Sequence, residues 1–130
     1  MTFLSKSLAI AASGMEAQSS RLRHVSENIA NNDTPGYTRK IATFQEHYTF
    51  TERSGEVTTG PVLLDHTVPE TIYDPAHPLA DESGHYDGSN VNLVVEIADA
   101  REAQRSYEAN LKMFEQARKM SSSLIELLRR

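Results

Sequence analysis

Apolar and small residues recur at three- and four-residue steps through the last part of the chain, residues 93–130. Because residues three and four apart share one face of an α-helix, this spacing predicts a helix over the whole segment, about 55 Å long at 1.5 Å per residue. Ser89 to Asn92 supply capping side chains before it, and no Pro or Gly interrupts it. One helix cannot bury its own apolar stripe, so the pattern predicts a partner. The stripe comprises Leu93, Ile97, Ala100, Tyr107, Leu111, Phe114, Ala117, Met120, Leu124 and Leu128.

A second periodic segment at the other end of the chain is the first candidate for that partner. Residues 1–31 carry a heptad pattern that predicts a second long helix. Two such helices most simply pack as an antiparallel pair. An ordinary intramolecular hairpin with nothing further to bind would bury only the facing parts of the stripes, whereas an oligomer or filament would cover the rest. The heptad positions are Leu4, Leu8, Ala11, Met15, Gln18, Leu22, Val25 and Ile29.

The middle of the chain, residues 32–92, has a different composition. All five prolines and five of the six glycines lie between Pro35 and Gly88. Pro35-Gly36 fits the two central positions of a type II turn that ends the first helix. Residues 37–50 are rich in β-formers, and residues 62–64 and 71–73 are short candidate strands, whereas 81–88 is expected to be polar loop. The predicted fold is therefore mainly α: helices over 1–31 and 93–130 pack as an antiparallel coiled-coil hairpin and are joined by a proline-containing extended or β-rich arm over 32–92.

The composition of the chain excludes several classes of function. With 130 residues the chain has the size of one domain. The formal charge of −5 argues against nucleic acid as a partner, since nucleic acid attracts a basic surface. The middle segment holds ten acids and three bases and is expected to be solvated. The chain has no cysteine and no apolar run long enough to span a membrane. A short apolar run at Leu8–Ser13 imitates a signal peptide, but cleavage there would cut the heptad pattern, so no cleaved signal is expected.

No motif in the chain predicts catalysis. His66, His77 and His85 lie near aspartates in the middle segment, but none has the one-turn helical spacing of a metal site. No nucleophile elbow and no glycine-rich phosphate loop are present. We therefore predict a protein that is not an enzyme, with no catalytic, cofactor-binding or metal-binding residues.

The end of the first helix carries a specific string of residues. Glu27 to Asn31 followed by Thr34 to Tyr37 resembles the N-terminal signature of the bacterial flagellar axial proteins of the rod and hook. Asp74 to Pro78, Asn90 to Glu96 and Arg105 to Asn110 resemble the proximal rod members of that family in particular. The motif residues at the turn are Asn28, Asn31, Thr34, Pro35, Gly36 and Tyr37.

The resemblance implies a structural subunit of the basal-body proximal rod, which assembles through its terminal helices into the axial drive shaft and transmits torque for motility. It implies copies of itself and other rod proteins as partners in a helical stack. It also implies passage through the flagellar type III export apparatus and a location in the basal-body rod, in the periplasmic space. The expected assembly residues are Leu4, Leu8, Met15, Leu22, Val25, Ile29, Leu93, Ile97, Tyr107, Leu111, Phe114, Met120 and Leu124.

Three other functions stay open from the sequence. Another proximal rod protein of the same family would share the length and both helices. A non-flagellar coiled-coil adaptor or secretion chaperone would share the helices but would not need the proline-containing arm. A small hydrolase with a His/Asp site in the loops is the least favoured, and metal- or substrate-dependent activity would distinguish it.

Overall fold

Two long helices frame the fold in a computed structural model that describes residues 2–130. α1 spans Phe3–Ala30 and α2 spans Leu93–Arg129. The Thr2 hydroxyl caps α1 by accepting from the Ser5 amide at 3.2 Å, and the Asn92 side chain caps α2 by accepting from the Val94 amide at 3.0 Å. These caps satisfy amides that have no partner within the helix.

Six short strands between the helices form three separate antiparallel pairs. They are β1 (Lys40–Ile41), β2 (Phe44–Tyr48), β3 (Arg53–Thr59), β4 (Leu63–Leu64), β5 (Thr71–Tyr73) and β6 (His85–Asp87). β1 pairs with β4, β2 with β3, and β5 with β6. The sequence predicted extended structure at β1, β2, β4 and β5, but it placed loop at β6 and nothing at β3.

The prediction of a mainly α fold built as a coiled-coil hairpin is wrong. The helices hold 28 and 37 residues, which is half of the 130-residue chain, and the rest is organised by strand pairs. β3 and β6 are polar strands in which apolar and polar residues do not alternate, because neither strand has one whole face buried. They form through ladder hydrogen bonds to β2 and β5, which local sequence does not report.

The two helices do pack against each other, and they run antiparallel. Gly14 faces Asn110, Arg21 forms an ion pair with Asp99, and Asn28 bonds Glu96. Small residues fill much of this contact. A Cβ atom on Gly14 would lie 2.6 Å from the Asn110 side-chain oxygen, so a larger residue would displace this side chain from its bond to the Ser106 carbonyl. The buried apolar residues of the two helices are Ala11, Ala17, Val25, Ala103 and Ala117.

The β2–β3 hairpin covers another side of α1. The Val57 amide donates to the Ser13 hydroxyl at 3.1 Å, and Gly55, at φ 79°, lies directly over Ile10. α1 is therefore held between α2 and the hairpin. Among the elements of the fold α2 has extensive contacts with α1 alone, so most of its remaining surface is open.

Candidate functional site

Asn28, at the end of α1, is the centre of a buried polar cluster. Its side chain is 1% exposed and makes four hydrogen bonds. The amide nitrogen donates to the Lys40 carbonyl at 2.9 Å and to the Glu96 carboxylate at 3.3 Å. The amide oxygen accepts from the Tyr37 hydroxyl and from the Lys40 amide, both at 2.9 Å. One side chain thus joins α1, the start of the arm and the start of α2.

Glu96 is the second centre of this cluster and is 0% exposed. It sits in the first turn of α2 and accepts from the Arg39 guanidinium as well as from Asn28. Arg39 also faces Asp65, at 3.4 Å. Burial acts to lower the pKa of Arg39, but the two carboxylates outweigh it and raise the pKa above its usual value. The buried carboxylate is therefore matched by a cation that stays charged. We call Asn28, Tyr37, Arg39, Lys40 and Glu96 the junction cluster.

Two further groups tie the arm to this junction. Lys40 donates to Glu27 at 2.7 Å, and this hydrogen bond lowers the pKa of Glu27 and raises the pKa of Lys40. The Asn90 side chain accepts from the Arg39 amide at 2.6 Å and donates to the Asp65 carbonyl at 2.8 Å. Burial raises the pKa of the Tyr37 hydroxyl, which keeps it a hydrogen-bond donor to Asn28. These bonds connect the end of α1 and the residues just before α2 to the beginning of the middle segment.

The turn after α1 directs the arm toward the cluster. Asn31 caps the helix end, donating from its side chain to the Glu27 carbonyl at 2.8 Å and accepting from the Thr34 hydroxyl at 3.1 Å. The Tyr37 amide donates to the Thr34 carbonyl at 3.2 Å across Pro35-Gly36. Gly36 has φ 74°, which the predicted type II turn requires at its second central position.

Replacing Gly36 by Val should weaken folding through backbone strain alone. No atom lies within 4 Å of a Cβ built on Gly36, so crowding does not contribute. A β-branched residue at positive φ costs on the order of 1–3 kcal/mol. The helices should still form, because their periodicity and caps are untouched, but the arm should lose its direction.

The matched control is Gly36→Asn, since Asn tolerates positive φ better. We expect Gly36→Val to lower the urea midpoint and rod assembly more than Gly36→Asn does. Equal behaviour of the two variants in both measurements would show that the turn geometry does not matter.

The structure distributes the predicted assembly residues over three levels of exposure. Val25 is buried, whereas Leu4, Leu8, Met15, Leu22, Tyr107 and Phe114 are half-buried. The structure brings the six turn residues together around the end of α1. It leaves Ile29 of α1 and much of the predicted stripe on α2 exposed. The exposed members of that stripe are Leu93, Ile97, Leu111, Met120 and Leu124.

Two histidines of the middle segment pack against tyrosine rings. His77 stacks on Tyr86 with ring centroids 3.9 Å apart, and His85 lies 5.0 Å from Tyr73. No group of three His, Asp or Glu side chains in residues 2–130 is arranged to hold a metal ion. Over the same residues, no helix is long and apolar enough to cross a membrane.

Sequence reasoning missed Arg39, Lys40 and Glu96 as site residues. The signal for the first two was present, since they are two of only three bases in the acidic segment 32–92. Glu96 had no local signal, because a glutamate in the first turn of a helix is ordinarily a solvated residue that favours the helix dipole.

Comparison with known proteins confirms the resemblance seen in the motifs. Residues 8–38 match the family described as Flagella basal body rod protein, and residues 82–127 match Flagellar basal body rod FlgEFG protein C-terminal. The Flagellar basal-body rod protein FlgC of Agrobacterium fabrum is 44% identical over 133 residues, which covers 97% of this chain and 96% of that protein. FlgC of Salmonella typhimurium is 31% identical over 91% of this chain and 92% of its own length. FlgC of Aquifex aeolicus is 36% identical over 82% of this chain and 84% of its own length. The chain belongs to the FlgC family of flagellar basal-body rod proteins.

Proposed function

We propose that this chain is a structural subunit of the proximal rod of the flagellar basal body, where it helps to form the shaft that transmits torque. The observation that carries the proposal is the open apolar surface of α2 in a chain of this family. Monomeric proteins rarely leave large contiguous apolar patches in solvent. The exposed large apolar residues of α2 are Leu93, Val94, Val95, Ile97, Leu111, Met113, Met120, Leu124, Ile125, Leu127 and Leu128.

In this proposal the segments 1–31 and 93–130 form the assembly core, and the segment 32–92 lies outside it. Copies of this chain and other rod proteins cover α2 in a helical stack. Support comes from the one-sided packing of α2, which contacts α1 extensively and no other element of the fold to a similar degree. The acidic, hydrogen-bonded middle segment is suited to a solvated surface, since it carries ten acids and three bases.

We further propose delivery through the flagellar export apparatus without a cleaved signal, and a location in the periplasmic part of the rod. The apolar run that imitates a signal peptide belongs to α1, and Ala11 within it is buried. Removing it would take away part of the surface on which α2 and the β2–β3 hairpin pack.

The proposed role is mechanical and not catalytic. The junction cluster contains Asn28 and Glu96, the two most buried polar residues in the part of the chain that the structure describes, and each polar atom of the Asn28 side chain has protein partners. We propose that it fixes the angle at which the arm leaves the helices. A coiled-coil adaptor or chaperone would not need this connection.

The test is complementation of a strain that lacks its own copy of the gene, with swimming and purified basal bodies as readouts. Leu111→Asn should abolish rod assembly, and circular dichroism verifies that the isolated subunit stays folded, since Leu111 is 37% exposed and lies outside the buried core. Leu111→Met keeps the apolar volume and should swim normally. Wild-type swimming by Leu111→Asn would show that this face of α2 is not covered in the rod, and failure of the unmodified chain to complement would refute the proposed function.

A further inference from the structure

The side of α2 that faces α1 is a line of mostly small and polar residues. Glu96 bonds Asn28, Asp99 pairs with Arg21, and Asn110 faces Gly14. The members of this line recur at steps of three, four or seven residues, so they share one side of the helix, and all are buried or half-buried. We call them the contact line: Glu96, Asp99, Ala103, Asn110, Phe114 and Ala117.

Two exposed apolar strips flank the contact line, one in each half of α2. The first strip is Leu93, Ile97 and Leu111, and the second strip is Met113, Met120, Leu124 and Leu127. All seven side chains are between 37% and 68% exposed. At 3.6 residues per turn, each strip lies roughly a quarter of a turn from the contact line, on opposite sides of it. The side of α2 opposite the contact line is exposed and basic, with Arg101, Arg105, Lys112 and Lys119.

This arrangement means that one neighbouring helix cannot cover both strips. The strips are about half a turn apart around α2, and α1 occupies the side between them. Both strips keep the three-, four- and seven-residue spacing of a seam between helices. Each strip is therefore suited to a helix lying beside α2, and α2 needs one such helix on each flank.

We infer that the first strip of one subunit packs against the second strip on the C-terminal helix of the adjacent rod subunit, with the two helices side by side and parallel. This inference rests on the proposed rod function and names the two surfaces of one subunit contact. The midpoints of the strips, residues 102 and 120, lie 18 residues apart. Matching one strip to the other therefore staggers the two helices by about 27 Å along their axes.

A C-terminal helix is the occupant because it carries both halves of the contact. Each α2 presents a first strip on one flank and a second strip on the other, so the contact is heterologous and can be repeated from subunit to subunit. Pairing first strip with first strip would instead relate two subunits by a two-fold axis and close into a dimer, which cannot continue into a shaft. Residues 82–127 match the C-terminal family model described for FlgEFG rod proteins, so related rod subunits carry a helix of the same family.

Site-specific photocrosslinking in assembled rods tests this contact. The photoreactive residue p-benzoylphenylalanine replaces Leu111 in the first strip, Met120 in the second strip, or Lys112 on the basic side. Each full-length variant is expressed in the complemented strain, and mass spectrometry identifies the cross-linked peptides after irradiation of purified basal bodies. The same probe at Ile97 and at Leu127 gives a second position on each strip if one substitution blocks assembly.

The two strips should give reciprocal cross-links. The probe at Leu111 should attach to the second half of a neighbouring C-terminal helix, and the probe at Met120 should attach to the first half of one, because the helices are staggered. Lys112 is the matched control, since it follows Leu111 in sequence but lies nearly opposite the contact line. Its probe should give no cross-link to a C-terminal helix.

Three results in assembled rods would overturn the inference. They are cross-links from both strips to the same half of the neighbouring helix, cross-links from either strip to the first helix or the middle segment of a neighbour, and no cross-link to a C-terminal helix from any strip position. If the probe-bearing chains still form rods and the strain swims, any of these results leaves the rod function standing and removes only the strip contact. Failure of the unmodified chain to complement would remove both.

Discussion

Replacing Arg39 by Met should lower the free energy of unfolding by about 3–5 kcal/mol, which is the cost of leaving a buried charge without its partner. Glu96 is 0% exposed, and Arg39 is the only cation bonded to it in the part of the chain that the structure describes. Methionine preserves most of the apolar length of the arginine side chain. The loss of stability therefore measures the broken ion pair and not a new cavity. Domains of this kind have total stabilities of about 5–15 kcal/mol, so the variant should be close to unfolding at physiological temperature. Urea denaturation followed by circular dichroism measures the effect.

Arg53→Met is the matched control for this substitution. Arg53 is 75% exposed on its side chain and lies 3.9 Å from the Glu46 carboxylate on the neighbouring strand. Exposed pairs contribute about 0–1 kcal/mol, so this variant should unfold nearly like the unmodified protein. In a third variant, Arg39→Met with Glu96→Leu, both charges are absent and much of the lost stability should return. Equal stability of Arg39→Met and Arg53→Met would contradict a buried ion pair at the junction.

Replacing Ala103 by Leu should force the two helices apart. Ala103 is 0% exposed on the side of α2 that packs against α1. Extra methylene groups at a closely packed position cost about 1–3 kcal/mol in displaced backbone and side chains. The consequences extend along the contact, because the Arg21–Asp99 pair and the Gly14–Asn110 approach both require the present spacing. We expect a lower urea midpoint and loss of rod assembly in the complemented strain.

Ala109→Leu adds the same side chain on an exposed part of the same helix. Ala and Leu are both strong helix formers, so the stability of this variant should change by no more than about 0.5 kcal/mol. An Ala103→Leu protein as stable as Ala109→Leu would mean that the helices are not held at the close distance seen in the structure.

Several local features of this protein could be predicted from the sequence because their causes lie within a few residues. The helical period placed both helices within two residues of their observed ends, and the capping residues before Leu93 marked the start of α2. The Pro35-Gly36 pair predicted a type II turn, since proline fixes one backbone angle and glycine allows the positive φ that the next position needs. The signature around Asn28 to Tyr37 predicted the family, which the comparisons confirm.

The sequence by itself thus determined the two helices, the turn between α1 and the arm, and the membership of the rod family. Tertiary structure alone decided that alanines and polar residues occupy most of the fully buried positions of the two helices, while Leu111 and Leu124 stay more than one-third exposed. Periodicity marks apolar positions without saying which of them the chain itself covers. It also decided the pairing of β3 and β6, whose polar sequences carry no pattern of their own. The junction ion pair joins Arg39 and Glu96 across 57 positions of sequence, and only the folded chain places a glutamate with no local signal of burial next to the arginine that bonds it.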